Sequence, residues 1–190
     1  MRNRIMLAAM TELNERGIKF TMDDLARQLG VSKRTLYENF SSKEELIGFL
    51  LTEVTAELKA KREAILYDNQ LDVREKFKQI MTVRSTIWGD TADQVSLDIK
   101  KCMPHQWKKI EKSIDELWEI IDALLSEGKQ KGVFRPVFFP AMRVMFRGSF
   151  HEFANYAFLL QNRVTVKEMI NYMVDILMYG IVVQQQDKPS

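Results

Sequence analysis

Apolar residues recur at steps of three and four along most of the chain, and no window alternates apolar with polar as a strand does. The pattern predicts an all-α protein. Ile5, Met6, Ala9, Met10 and Leu13 share one side of a helix over 2–16 that ends at Gly17. A short helix over 22–29 turns Met22, Leu25, Ala26 and Leu29 inward, and a second over 33–40 buries only Leu36 and Phe40. Next comes a long helix through Leu46, Phe49, Leu50, Val54 and Leu58 to about 66, with Ser41 and Ser42 offering overlapping capping boxes to Glu44 and Glu45. Helices over 72–88, 92–103 and 104–129 follow, the last two meeting at Pro104. Phe139, Met142, Phe146, Ser149, Phe153, Tyr156 and Leu160 predict one penultimate helix, and 166–183 a final helix apolar nearly all round. Such a helix needs cover on every side. The least costly cover is the same helix pair from a second copy about a two-fold axis. The pattern therefore predicts a homodimer, with Phe146, Phe150, Phe153, Met169, Met173, Ile176 and Gly180 at the interface.

The stretch 21–46, TMDDLARQLGVSKRTLYENFSSKEEL, carries the functional signal. Thr21 and Asp24 have capping-box spacing, Gly30 suits a left-handed helix end, and Ser32 caps the next helix. That helix turns Lys33, Arg34, Tyr37 and Glu38 outward with Thr35 and Asn39 on its flanks. Cations neutralise phosphates, hydroxyls reach phosphate oxygens, and Arg, Asn and Glu match base-edge patterns. Two short helices joined by a Gly-containing turn form a helix-turn-helix, whose second helix enters the major groove. Net charge is only +2 over 190 residues, so positive charge matters locally: Arg16, Lys19, Arg27, Lys33, Arg34 and Lys43 outnumber Asp23, Asp24 and Glu38 around the motif.

The same stretch resembles the TetR family of transcriptional regulators. Thr21, Leu25, Ala26, Gly30, Val31, Ser32, Thr35, Leu36, Tyr37, Phe40, Ser42, Lys43, Glu44 and Leu46 fall in the family's register without a gap. Arg34 departs from it, standing where the family usually has glycine before Thr-Leu-Tyr. The resemblance implies a helix-turn-helix DNA-binding domain over 1–47 and a ligand-binding and dimerisation domain over 48–190. It implies a repressor released from a palindromic operator by a small molecule, with recognition helices about 34 Å apart in the dimer. Expected phosphate contacts are Thr21, Ser32, Thr35, Tyr37 and Lys43, and expected base-edge or mixed contacts are Lys33, Arg34, Glu38 and Asn39. Phe77, Met81, Trp88, Met103, Trp107, Trp118, Phe138 and Met142 lie on helices that enclose the inducer pocket in such proteins. Thioethers and rings there suit an apolar or aromatic effector. The alternative is a DNA- or protein-binding helical scaffold with no small-molecule switch.

The remaining chemistry is sparse. One cysteine, Cys102, allows no internal disulfide and suits a reducing cytoplasm. Cys102 and His105 lie three apart around Pro104 with no further clustered ligands, and His151 lies among aromatics, so no metal or cofactor is expected. No nucleophile turn, P-loop or dinucleotide fingerprint points to an enzyme. The most apolar run, 172–183, contains Asp175 and falls short of the roughly 20 residues a bilayer demands. Glu12, Asn14, Glu15 and Arg16 interrupt the apolar run near the N-terminus, against a signal peptide.

Overall fold

Several helix starts are set by side chains that accept from the backbone's orphan amides. Thr21 with Asp24, Asp72 with Glu75 and Thr165 with Glu168 each form a complete capping box. The computed structural model describes residues 1–87, 92–153 and 156–182, in backbone only at 92–94, 96, 97, 150–153, 156 and 157. Its helices are α1 (Arg2–Arg16), α2 (Met22–Leu29), α3 (Lys33–Asn39), α4 (Lys43–Tyr67), α5 (Val73–Thr82), α6 (Ala92–Cys102), α7 (Pro104–Gln130), α8 (Phe139–Phe153), α9 (Tyr156–Asn162) and α10 (Val166–Ile181). A 3-10 turn, Gly17–Lys19, follows α1. Among the described residues the only extended pairing is an isolated bridge between Phe134 and Val182.

The chain forms two compact units from interleaved segments, 1–59 with 85–113 and 60–84 with 114–190. In the first, Ile5, Ala9, Leu13, Phe20, Leu25, Leu36, Phe40, Leu46 and Leu50 make one core. Val95 and Ile99 of α6 join that core, so this unit reaches well past the helix-turn-helix. In the second, Val73, Phe77 and Ile80 meet Trp118, Ile121, Phe134, Met142 and Ile181. The Phe77 and Phe134 rings lie edge to face at 5.5 Å, and Trp118 stands between Phe139 and Phe146. Helices α4 and α7 contribute residues to both units.

Two element boundaries differ from the periodicity. Helix α5 stops at Thr82 rather than near 88. Val83 is extended, and the chain beyond is held by Glu57, whose carboxylate accepts from Ser85 Oγ, Thr86 N, Thr86 Oγ1 and Ile87 N. The expected single penultimate helix is two, α8 and α9, with 154–155 between them outside the described residues.

Candidate nucleic-acid interface

With seven residues, α3 is too short to be stable alone, and tertiary contacts must seat it. Leu36 and Phe40 do so: both have no solvent exposure, and each burial stabilises by on the order of 2 kcal/mol. Gly30, at φ 65°, turns the chain between α2 and α3 in the left-handed region, and Val31 N donates to Ala26 O at 3.0 Å. Arg2 stacks its guanidinium over Phe40 and Phe49, at 4.3 and 4.9 Å from the ring centres. It also pairs with Glu45, which accepts from Ser41 N at 2.7 Å and Ser41 Oγ at 2.6 Å. These Ser41 bonds hold the Glu45 carboxyl below the usual glutamate range. Spacing does not single out Arg2, since only the fold brings Phe40 and Phe49 to it.

The face so presented contains exposed Lys33, Arg34, Tyr37 and Glu38, with Thr35 and Asn39 half-buried. Carboxylates hold both cations. Lys33 Nζ pairs with Asp23 of α2, and Arg34 Nε donates to Glu38 Oε1 at 2.9 Å. Asn39 Nδ2 donates back to Thr35 O at 2.8 Å, leaving its amide oxygen outside that bond. Ser32 Oγ accepts Thr35 N–H at 3.1 Å and shares a hydroxyl bond with Thr35 Oγ1 at 2.9 Å. One of those two hydroxyl protons therefore remains for an outside acceptor. Thr21 Oγ1 donates to Asp24 Oδ2 at 2.7 Å and accepts from Asp24 N at 3.2 Å. Bonds from Thr21 hold the Asp24 carboxyl below the usual aspartate range, with Arg16 and Arg27 assisting.

Lys43 faces inward as well as out. Its ammonium donates to the carbonyls of Ile18 and Phe20 and stands 4.3 Å from the Phe20 ring centre. Two of its three N–H donors are thus engaged within the protein. Burial pushes its pKa down, opposed by the charge at Asp24.

The residues expected to line an effector pocket are drawn from both units. Phe77, Trp118 and Met142 are buried in the second core with Met81 against it, whereas Met103 and Trp107 pack against the first. Phe138 is 75 % exposed, because Phe139 takes the inward place against Trp118. Trp88 lies outside the described residues. Arg62, which the periodicity does not mark, is buried in the second unit near Glu116, and burial lowers its pKa. Its signal is a cation four residues after Leu58, on the apolar side of α4.

Of the expected interface residues, Ile176 and Gly180 are exposed and Phe146, Met169 and Met173 half-buried, while the side chains of Phe150 and Phe153 lie outside the description. The exposed apolar surface also includes Val144 and Met145 on α8 and Tyr172 and Tyr179 on α10. Tyr172, Ile176 and Tyr179 are spaced by four and three, which places them on one side of α10.

Residues 5–48 match the family description "Bacterial regulatory proteins, tetR family". The chain is 32% identical over 188 residues to the uncharacterized HTH-type transcriptional regulator YvaF of Bacillus subtilis (strain 168), covering 98% of each protein. In fold it is similar to a transcriptional regulator from Saccharomonospora viridis solved in complex with choline, with a TM-score of 0.79, 18% identity, and coverage of 96% of this chain and 98% of that one. It is also similar to the TetR family regulator PfmR from Thermus thermophilus, with a TM-score of 0.71, 24% identity, and coverage of 93% and 97%. The chain belongs to the TetR family: it is an all-α, DNA-binding transcriptional regulator.

Proposed function

We infer that the protein is a homodimeric repressor that leaves a near-palindromic operator when a small molecule binds. The observation that carries this reading is the outer face of α3, where Lys33, Arg34, Tyr37 and Glu38 stand exposed on a helix seated by Leu36 and Phe40. Residues 1–47 hold the DNA contacts, and 48–190 dimerise and bind the effector. Phosphate falls to Tyr37 and to the proton left over between Ser32 and Thr35. Thr21 acts chiefly as the cap of α2, since its hydroxyl proton is donated to Asp24. Base-edge or mixed contacts fall to Lys33, Arg34, Glu38 and Asn39. The apolar side of α10 at Tyr172, Ile176 and Tyr179 supports the dimer, as does the family.

The effector site belongs with Phe77, Met81, Trp118 and Met142 in the second unit, where rings and thioethers make an adaptable apolar lining. The choline bound to the regulator of S. viridis supports a small-molecule ligand in this fold. An effector that binds more tightly to a conformation with displaced recognition helices shifts the population off DNA. Helix α4, with residues in both units, is the route of that coupling. Among the described residues no helix is long and apolar enough to cross a membrane; the reading as an operator-binding regulator places the protein in the cytoplasm with its DNA.

The test is a selection of duplexes from fragmented genomic DNA by the purified full-length protein, repeated with small-molecule cell extract. A recovered inverted repeat whose binding the extract weakens is the expected result. Equal affinity with extract, and with each of its fractions, would reject the switch and favour the scaffold reading.

A further inference from the structure

Arg34 and Glu38 lie one turn apart on α3, joined by the 2.9 Å bond from Nε to Oε1. Both project into solvent, with side chains 88% and 58% exposed. A guanidinium held through Nε leaves the donors on its terminal nitrogens as a planar fork. In the major groove that fork pairs with O6 and N7 of guanine, the only base that offers two adjacent acceptors there. The carboxylate contributes in two ways. It orders a long side chain before DNA arrives, and it cancels the charge that would otherwise draw Arg34 to the nearest phosphate. Lys33, held by Asp23, offers a compact point charge and no such fork.

Resting on the DNA-binding reading above, we propose that Arg34 and Glu38 form a guanine-reading unit. Arg34 contacts the base, Glu38 is its positioning residue, and each operator half-site carries one guanine on which recognition depends. This makes a specificity determinant of the position where the chain departs from its family's glycine.

The experiment selects random duplexes with the full-length wild type and with Arg34→Ala, Arg34→Lys, Glu38→Ala and Glu38→Gln. Affinity is then measured for the selected duplex carrying 7-deazaguanine, which lacks the N7 acceptor, at each guanine in turn. For the wild type, one guanine per half-site should show a loss of about 5- to 150-fold. Arg34→Ala should be indifferent to that substitution, and Arg34→Lys, whose ammonium reaches O6 or N7 without a fork, should show a smaller loss than the wild type. Glu38→Ala should flatten the preference at that position alone. Glu38→Gln, whose amide oxygen still accepts the Nε proton but cancels no charge, should restore it in part. A wild-type motif whose guanine preference survives Arg34→Ala overturns the unit and leaves DNA binding standing. Unchanged preference in Glu38→Ala overturns the positioning role of Glu38. If the wild type selects no motif at all, the operator-binding reading falls together with the unit.

Discussion

Changing Lys43 to methionine keeps most of the stem and its packing on Phe20 while removing the ammonium that donates to the Ile18 and Phe20 carbonyls. A hydrogen bond from a charged donor contributes about 1.5–3 kcal/mol when sheltered. Lys43 is only half-buried, so solvent screening and water replacing the donor bring each bond nearer ~1 kcal/mol. The ring contact adds about 0.5 kcal/mol. Desolvation, visible in the lowered pKa, returns part of this. The net expectation is a loss of about 1–2 kcal/mol, or roughly 2–8 °C in Tm for a chain of this size. A phosphate contact would leave another trace: losing one in each protomer would reduce the slope of log affinity against log salt by about 1.8. Urea unfolding followed by circular dichroism, alongside operator binding at four salt concentrations, separates the two roles. The brace predicts a lower unfolding midpoint with an unchanged salt slope. An unaltered midpoint with a slope lower by nearly two would refute it.

Other perturbations test packing, assembly and capping. A Cβ at Gly128 would run into the ring of Phe134, which is buried against Phe77. Gly128→Ala should therefore destabilise, since about 1–3 kcal/mol of overpacking outweighs about 1 kcal/mol of helix propensity. At Gly48 the obstacle is the end of the Gln106 side chain, which can swing aside, so Gly48→Ala should be neutral or stabilising. Thermal melts showing the same sign for both would contradict this reading. Ile176→Glu combined with Tyr179→Glu should give a helical monomer by sedimentation with weakened operator binding, because both side chains are mostly exposed in the single chain, at 73% and 81%. A persistent dimer would remove that side of α10 from the interface. Thr21→Val should move the Asp24 carboxyl, followed by NMR, up toward the ordinary aspartate range. Because the folded value is depressed, Asp24 stabilises fully above that range and the contribution is lost as pH falls through the lowered value. The wild type should thus resist acid further than Thr21→Val, and superimposable titrations would dismiss the cap as the cause.

What could be read from the sequence was what neighbouring residues decide among themselves. Thr21 and Asp24, Gly30, and Ser32 act within a turn or two, so the start and stop of α2 and the start of α3 follow from spacing alone. The end of α5 does not, because it depends on Glu57, some 28 to 30 residues earlier, capturing 85–87. Lys43 is a similar case. Periodicity places it in the first turn of α4, but only the folded chain brings the carbonyls of Ile18 and Phe20 to its ammonium. Phe138 and Phe139 show the limit for adjacent apolar residues: at a helix start both fit the stripe, and contact with Trp118 decides that Phe139 goes in.

The charged exceptions were the more informative signal, and they bear on recognition. Arg62 breaks an apolar stripe and is buried, whereas Arg34 and Glu38 lie on a polar face that hydrophobic patterning cannot rank. Patterning predicts which side of α3 meets solvent, because Leu36 and Phe40 fix it. Which exposed side chain reads a base depends on the partner each one already has. Arg34 is the exposed cation on α3 whose intramolecular bond leaves a planar donor fork turned outward, whereas Lys33 presents a point charge already shared with Asp23. Base preference should therefore follow Arg34 and its carboxylate.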